Sequence, residues 1–193
     1  MIEVEVKLPL FRRSHTEQQL ISLGFSPGDL VRESDVYFNS DFHDFRQTDE
    51  ALRIRTSENL TKRTAHSVIT YKGKKLDSLT MTRKELETGL DDPGTGIDIL
   101  KALGYNQLYP VRKLRQYYHL DRVTACVDQV EGLGSFLELE VLVPEEKDRP
   151  QAMEEIEKIL HGIGSSLDET IRISYLSMLM KKDLRQAESP AKG

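Results

Sequence analysis

The feature that most constrains this chain is an alternation of apolar and charged residues with a period of two. Ile2-Glu3-Val4-Glu5-Val6-Lys7-Leu8 alternates without a break until Pro9. The same period recurs at 30–38, 51–56, 67–74 and 79–88, then in three longer late runs at 108–120, 123–130 and 135–143. Successive side chains of a strand point to opposite faces, so this pattern predicts strands, about eight of them, linked mostly by short turns. Such spacing favours an antiparallel sandwich or barrel over βαβ units.

Helices are expected where the period changes. Ser14-His15-Thr16-Glu17 has the form of a capping box, and Gly24 supplies a stop. Residues 93–103 end at Gly104 with Ile97, Leu100 and Leu103 at helical spacing, and 150–160 end at Gly162 with Met153, Ile156 and Ile159 or Leu160 on one face. Residues 170–184 carry the stripe Ile171, Tyr175, Met178 and Leu179. The chain shows no internal repeat or linker, so 1–185 is read as one α+β domain followed by a frayed tail at 186–193.

The strands carry their charges in pairs at i and i+2: Glu3 and Glu5 extended by Lys7, then Arg53 and Arg55, Lys72 and Lys74, Arg83 with Glu85 and Glu87, Lys113 and Arg115, and Glu138 and Glu140. Each pair shares a face, ~6.5 Å apart. Two arrangements satisfy this pattern, one with the charges in solvent and one with them lining a lumen, and alternation alone leaves both open. Three features favour the lumen. The amphipathic helices need apolar surface to cover. Arginine's planar fork suits phosphate oxygens. Sign also looks segregated, acidic on the first and last strands and basic between. Charges converging in a closed barrel have to be compensated, because each uncompensated one costs several kcal/mol. Carboxylates suit Mg²⁺ or Mn²⁺, and the Lys and Arg residues suit a polyphosphate.

Composition excludes several alternatives. With 32 acidic against 27 basic residues the net charge is -5, which argues against a nucleic-acid partner. Cys126 is the single cysteine, so neither an intramolecular disulfide nor a thiolate metal site can form. Its neighbours Val123, Ala125 and Val127 predict an inert thiol buried among apolar groups. The charged start and the lack of a long apolar run predict no signal peptide, no membrane span and a cytoplasmic location. Gly94-Thr95-Gly96 and Gly132-Leu133-Gly134 lack the Gly-Lys-Ser/Thr of a phosphate loop and are read as turns. The five histidines have no ligand spacing, and 145–148 is expected to be a solvated loop.

Glu3-Val4-Glu5-Val6-Lys7 resembles the ExExK signature of the CYTH superfamily, the triphosphate tunnel metalloenzymes. Asp35-Val36-Tyr37-Phe38, Leu52-Arg53-Ile54-Arg55, Thr70-Tyr71-Lys72-Gly73-Lys74, Arg83-Lys84-Glu85-Leu86-Glu87, Lys113-Leu114-Arg115 and the run from Asp128 to Glu140 follow in the family's order, and Ser174-Tyr175 resembles its closing feature. The similarity is greatest to class IV adenylyl cyclases. It implies a closed eight-stranded antiparallel tunnel with helices packed outside. It implies divalent metal, Mg²⁺ or Mn²⁺, held by Glu3, Glu5, Glu138, Glu140 and Asp128. It also implies a triphosphate gripped by Lys7, Arg53, Arg55, Lys72, Lys74, Arg83, Lys113 and Arg115.

Two reactions follow from the resemblance. In a cyclase the ribose 3′-hydroxyl attacks the α-phosphorus of ATP and diphosphate leaves, with catalysis resting on Glu3, Glu5 and Glu138. In a thiamine or inorganic triphosphatase water attacks the terminal phosphorus, and Lys72 with Tyr37 matches a lysine–tyrosine pair of such relatives. The partner is thus a nucleotide or inorganic triphosphate, and a homodimer is allowed. A non-catalytic polyphosphate-binding module ranks lower because all the carboxylates remain. A structural interaction barrel needs its charges in solvent.

Overall fold

The computed structural model describes residues 2–76 and 83–187. Eight strands close into an antiparallel barrel in the order β1-β5-β4-β3-β2-β6-β7-β8. They are β1 (Ile2–Leu10), β2 (Ser26–Asn39), β3 (Ala51–Asn59), β4 (Thr64–Lys75), β5 (Arg83–Gly89), β6 (Asn106–Leu120), β7 (Val123–Val130) and β8 (Gly134–Val143). The helices are α1 (Arg13–Ser22), a short α2 (Phe45–Thr48), α3 (Pro93–Ala102), α4 (Arg149–Gly162) and α5 (Tyr175–Ala187).

The main core lies outside the barrel. Val4, Val6 and Leu8 of β1 join Val123, Ala125 and Val127 of β7 and Leu137, Leu139 and Val141 of β8 under Leu20 of α1 and Ile156 and Leu160 of α4. A smaller group, Phe38, Ile54 and Leu100, seats α3. Because side chains alternate across a strand, covering the outer face with helices sends the charged set inward. Val111, Val130 and Phe136 share the strand parity of Lys113, Asp128 and Glu138, so they face inward at one end. Tyr175 and Leu179 of α5 pack on them and fill that end.

Several boundaries differ from the sequence reading. Pro9 does not stop β1, which continues to Leu10 paired with β8. Its β5 pairing reaches only Ile2 and Glu3, so the missing N–H of Pro9 faces no second ladder. Ser14 is not a cap: α1 starts at Arg13, Arg12 occupies the N-cap position with no side-chain cap bond, and Glu17 instead accepts from Arg13 Nε at 2.9 Å. Gly162 lies inside α4, and the left-handed stop is Gly164 at φ 75°. Residues 170–174 are not helical; Ile171 N donates to Lys7 O at 2.7 Å and ties this segment to the barrel. Gly94 and Gly96 belong to the first turn of α3, where Asp92 accepts from Thr95 N at 3.1 Å. The strand expected at 79–88 is observed from Arg83 onward, with 79–82 outside the described residues. The tail expected to fray also lies largely outside them, although Gln186 and Ala187 continue α5.

Candidate active site

The lumen is a cavity of about 820 Å³ lined by residues of all eight strands except β7, together with α2, the turn after it and the 172–177 segment. Glu3, Glu5, Lys7, Tyr37, Arg53, Arg55, Lys72, Arg83, Lys113, Arg115, Glu138 and Glu140 all line it. Asp128 of β7 sits directly behind this lining with no exposed surface.

The carboxylates fall into two groups. Carboxylate oxygens of Glu3, Glu5 and Glu140 lie within 4.8 Å of one another. Register explains the meeting: Glu5 of β1 stands opposite Glu140 of β8, and Glu3 shares the face of Glu5. Burial, with the Glu140 and Glu5 charges nearby, pushes Glu3 well above the usual carboxylate range. Burial and the Glu138 and Glu5 charges push Glu140 up to about 7, against the pull of Arg115. Clustered, undercompensated oxygen donors of this kind fit a hard divalent cation such as Mg²⁺ or Mn²⁺.

Glu138 and Asp128 lie outside that cluster. Glu138 accepts from Lys7 Nζ at 2.9 Å and from Arg115 Nη2, and lies 4.0 Å from Lys113 Nζ. Although burial opposes it, these cations hold Glu138 well below the usual range. Asp128 binds Arg115 through two contacts of 2.7 Å and Lys113 at 2.9 Å, and Tyr175 Oη donates to it at 3.0 Å. The structure therefore separates the five carboxylates grouped as metal ligands from the sequence into a trio with long cation contacts (Glu140 to Arg115 at 3.4 Å, Glu5 to Lys7 at 3.7 Å) and a pair engaged by cations at 2.9 Å or closer.

A second ion network was not foreseen. Glu33 and Asp35 of β2 are buried beneath the basic wall. Asp35 binds Arg55 at 2.6 and 2.8 Å and Arg53 at 3.3 Å; Glu33 lies 3.0 Å from Arg55 Nη1 and 3.3 Å from Lys113 Nζ. Lys72 is bound to Glu85, and Thr70 Oγ1 donates to Glu87 at 2.7 Å. Sign is therefore not segregated by strand: β2, β5 and β7 bring acids into the basic wall. Tyr37 and Lys72 both line the cavity.

Two further expectations are corrected. Lys74 is exposed and Lys75 lines the cavity. Between the pairs Lys72↔Glu85 and Lys75↔Arg83, β4 advances by one residue more than β5, and this bulge reverses the parity of the strand. Cys126 is buried, but among charges: burial raises its thiol well above the usual range, and Arg115, Glu140, Asp128 and Glu138 surround it. Its apolar sequence neighbours point to the other face.

Comparison with known proteins agrees with this architecture. The CYTH domain model matches residues 1–175. A Methanocaldococcus jannaschii protein named as a candidate adenylate cyclase is 39% identical over 178 residues, covering 92% of this chain and 98% of its own. The solved structure of a Pyrococcus horikoshii protein superposes with a TM-score of 0.85 at 35% identity, covering 93% and 99% of the two chains. A Hippeastrum protein, titled as a candidate adenylyl cyclase with a dominant triphosphatase activity, shares the fold at a TM-score of 0.67 and 17% identity, over 94% and 95% of the chains. The chain belongs to the CYTH domain family.

Among the described residues no helix is long and apolar enough to cross a membrane.

Proposed function

We propose that this protein is an adenylyl cyclase that binds metal-chelated ATP in its tunnel and releases cyclic AMP and diphosphate. The observation that carries the reading is the juxtaposition of the Glu3, Glu5 and Glu140 trio with a cationic wall in one cavity. A triphosphate needs cations along its length, and the divalent ion it brings needs oxygen donors. Arg53 adds a specific signal: it lines the cavity, and among the described residues its buried Nε has no hydrogen-bond partner. An unpartnered buried donor is expensive and fits an anion acceptor. Glu3, Glu5 and Glu140 would hold Mg²⁺ or Mn²⁺, which supplies Lewis-acid activation of the attacking hydroxyl. Lys7, Arg53, Lys72 and Arg83 would grip the polyphosphate and stabilise charge on the departing diphosphate. The Methanocaldococcus relative, 39% identical over 178 residues, supports the cyclase outcome by its name.

Hydrolysis of the terminal phosphate is the second reading. Tyr37 and Lys72 line the same cavity, and the Hippeastrum protein combines this fold with triphosphatase activity. Which bond breaks depends on how the triphosphate is positioned along the tunnel. Product analysis separates the two. ATP and tripolyphosphate, each with Mg²⁺ or Mn²⁺, should give cyclic AMP and diphosphate from ATP. Rapid orthophosphate release from tripolyphosphate without cyclic AMP from ATP would overturn the cyclase reading and leave the triphosphatase.

A further inference from the structure

The turn between α2 and β3 places one carboxylate at the edge of the cavity, against two of its cations. Asp49 Oδ1 lies 2.7 Å from Lys75 Nζ and 3.6 Å from Arg83 Nη2. Its Oδ2 accepts from the Lys75 backbone N–H at 3.2 Å, and its carbonyl accepts from Arg83 Nη1 at 3.2 Å. Arg83 is buried, whereas the Asp49 side chain is 48% exposed. Asp49 also has a left-handed backbone, φ 56° and ψ 37°, closing α2. That conformation is disfavoured for most residues and tolerated by Asp and Asn.

The cations concerned are set apart from the rest of the wall. Arg55, Lys113 and Arg115 are tied to buried carboxylates of the barrel strands. Among the described residues, Lys75 and Arg83 are neutralised instead by one half-exposed side chain on a short connecting turn. Lys75 reaches the cavity only because of the β4 bulge. A bulge that redirects a cation into a cavity and a turn residue that sits on it define a built anion position with an exchangeable occupant.

Resting on the tunnel reading given above, we propose that Lys75 and Arg83 form a subsite for one phosphate group of a polyphosphate, and that Asp49 occupies it as an internal competitor until the ligand displaces it. The exchange keeps both cations paired, one carboxylate being traded for phosphate oxygens. Lys75 thereby becomes a ligand-binding residue and Asp49 a determinant of affinity.

Asp49→Asn tests this with little disturbance, because asparagine keeps the left-handed backbone and the bond from the Lys75 N–H while removing the charge. Calorimetric titration with inorganic tripolyphosphate in magnesium buffer should show binding about tenfold tighter than in the wild type, equivalent to ~1.4 kcal/mol. Lys75→Gln should weaken it by a similar factor, and Lys74→Gln, on the exposed neighbour, should leave it unchanged. Circular dichroism confirms that each variant is folded. Unchanged or weaker binding by folded D49N, or equal effects of K74Q and K75Q, overturns the subsite while the tunnel reading stands. A wild type that binds no tripolyphosphate overturns both.

Discussion

Glu138 and Glu140 stand two residues apart on the same face of β8, yet their surroundings drive them in opposite directions. Lys7, Lys113 and Arg115 outweigh burial at Glu138, whereas burial and neighbouring carboxylates prevail at Glu140. Opposite mutational outcomes follow. Glu140 carries a folded-state pKa of about 7, raised from 4.5, so it destabilises the folded state progressively as pH rises from about 4.5, and the penalty is complete above about 7. Glu140→Gln should stabilise the metal-free protein at pH 8 by about 1–3 kcal/mol while abolishing Mn²⁺ binding. Glu138→Gln takes from Lys7 its 2.9 Å carboxylate partner and from Arg115 one of its carboxylates, and should destabilise by about 3–5 kcal/mol. Thermal unfolding in EDTA, paired with Mn²⁺ titration calorimetry, checks both. A stabilised E138Q or a destabilised E140Q would reverse the assignment of the two carboxylates.

At the scale of elements, α1 exposes a fault that can be repaired. Among the described residues its N-terminal donors lack a side-chain acceptor, because the cap position is held by Arg12, whose guanidinium carries only donors. Arg12→Asp should add an acceptor and a favourable charge at the helix start, stabilising by about 1 kcal/mol. A melting temperature equal to or below that of the wild type would count against it. The misread cap also marks the limit of sequence reasoning. Ser14 and Glu17 have capping-box spacing, but whether they cap depends on where the chain turns out of β1, which spacing does not encode. Strand existence was legible because each period-two run is local. The reversal between Lys74 and Lys75 was not, since a bulge needs knowledge of the partner strand. Gly162 and Gly164 are equivalent as letters; only Gly164 adopts positive φ, and Gly162 instead lies against Leu23 of the α1 turn. The trio's meeting depended likewise on β1–β8 register, so Glu3, Glu5 and Glu140 were legible as candidates but not as a group distinct from Glu138 and Asp128.

The whole molecule is an apolar shell around a charged lumen, and its acid tolerance should follow from that inversion. Glu33 was not legible as a site residue, and Asp35 only as part of a motif without a role, because their partners, Arg55 and Lys113, lie on other strands far along the chain. Burial alone would raise both carboxylates, yet the cations prevail: Lys113, Arg55 and Arg115 lower Glu33 from 4.5 to about 2, and Arg55 and Arg53 lower Asp35 further still. A carboxylate whose folded pKa lies below its unfolded value contributes stability that is complete above the unfolded pKa and is lost as pH falls through the folded one. For Glu33 that window runs from about 4.5 down to about 2 and amounts to about 3 kcal/mol, at ~1.4 kcal/mol per pH unit. Asp35 adds a contribution of the same sign that persists to lower pH. Urea unfolding at pH 7, 4.5 and 3 should therefore show a further fall in stability between the last two values. Glu33→Gln should be less stable than the wild type at pH 7 and should show a shallower acid slope, since it has no proton to take up. Parallel acid slopes in the two proteins would place the linkage on other carboxylates and remove Glu33 from the network that holds the basic wall.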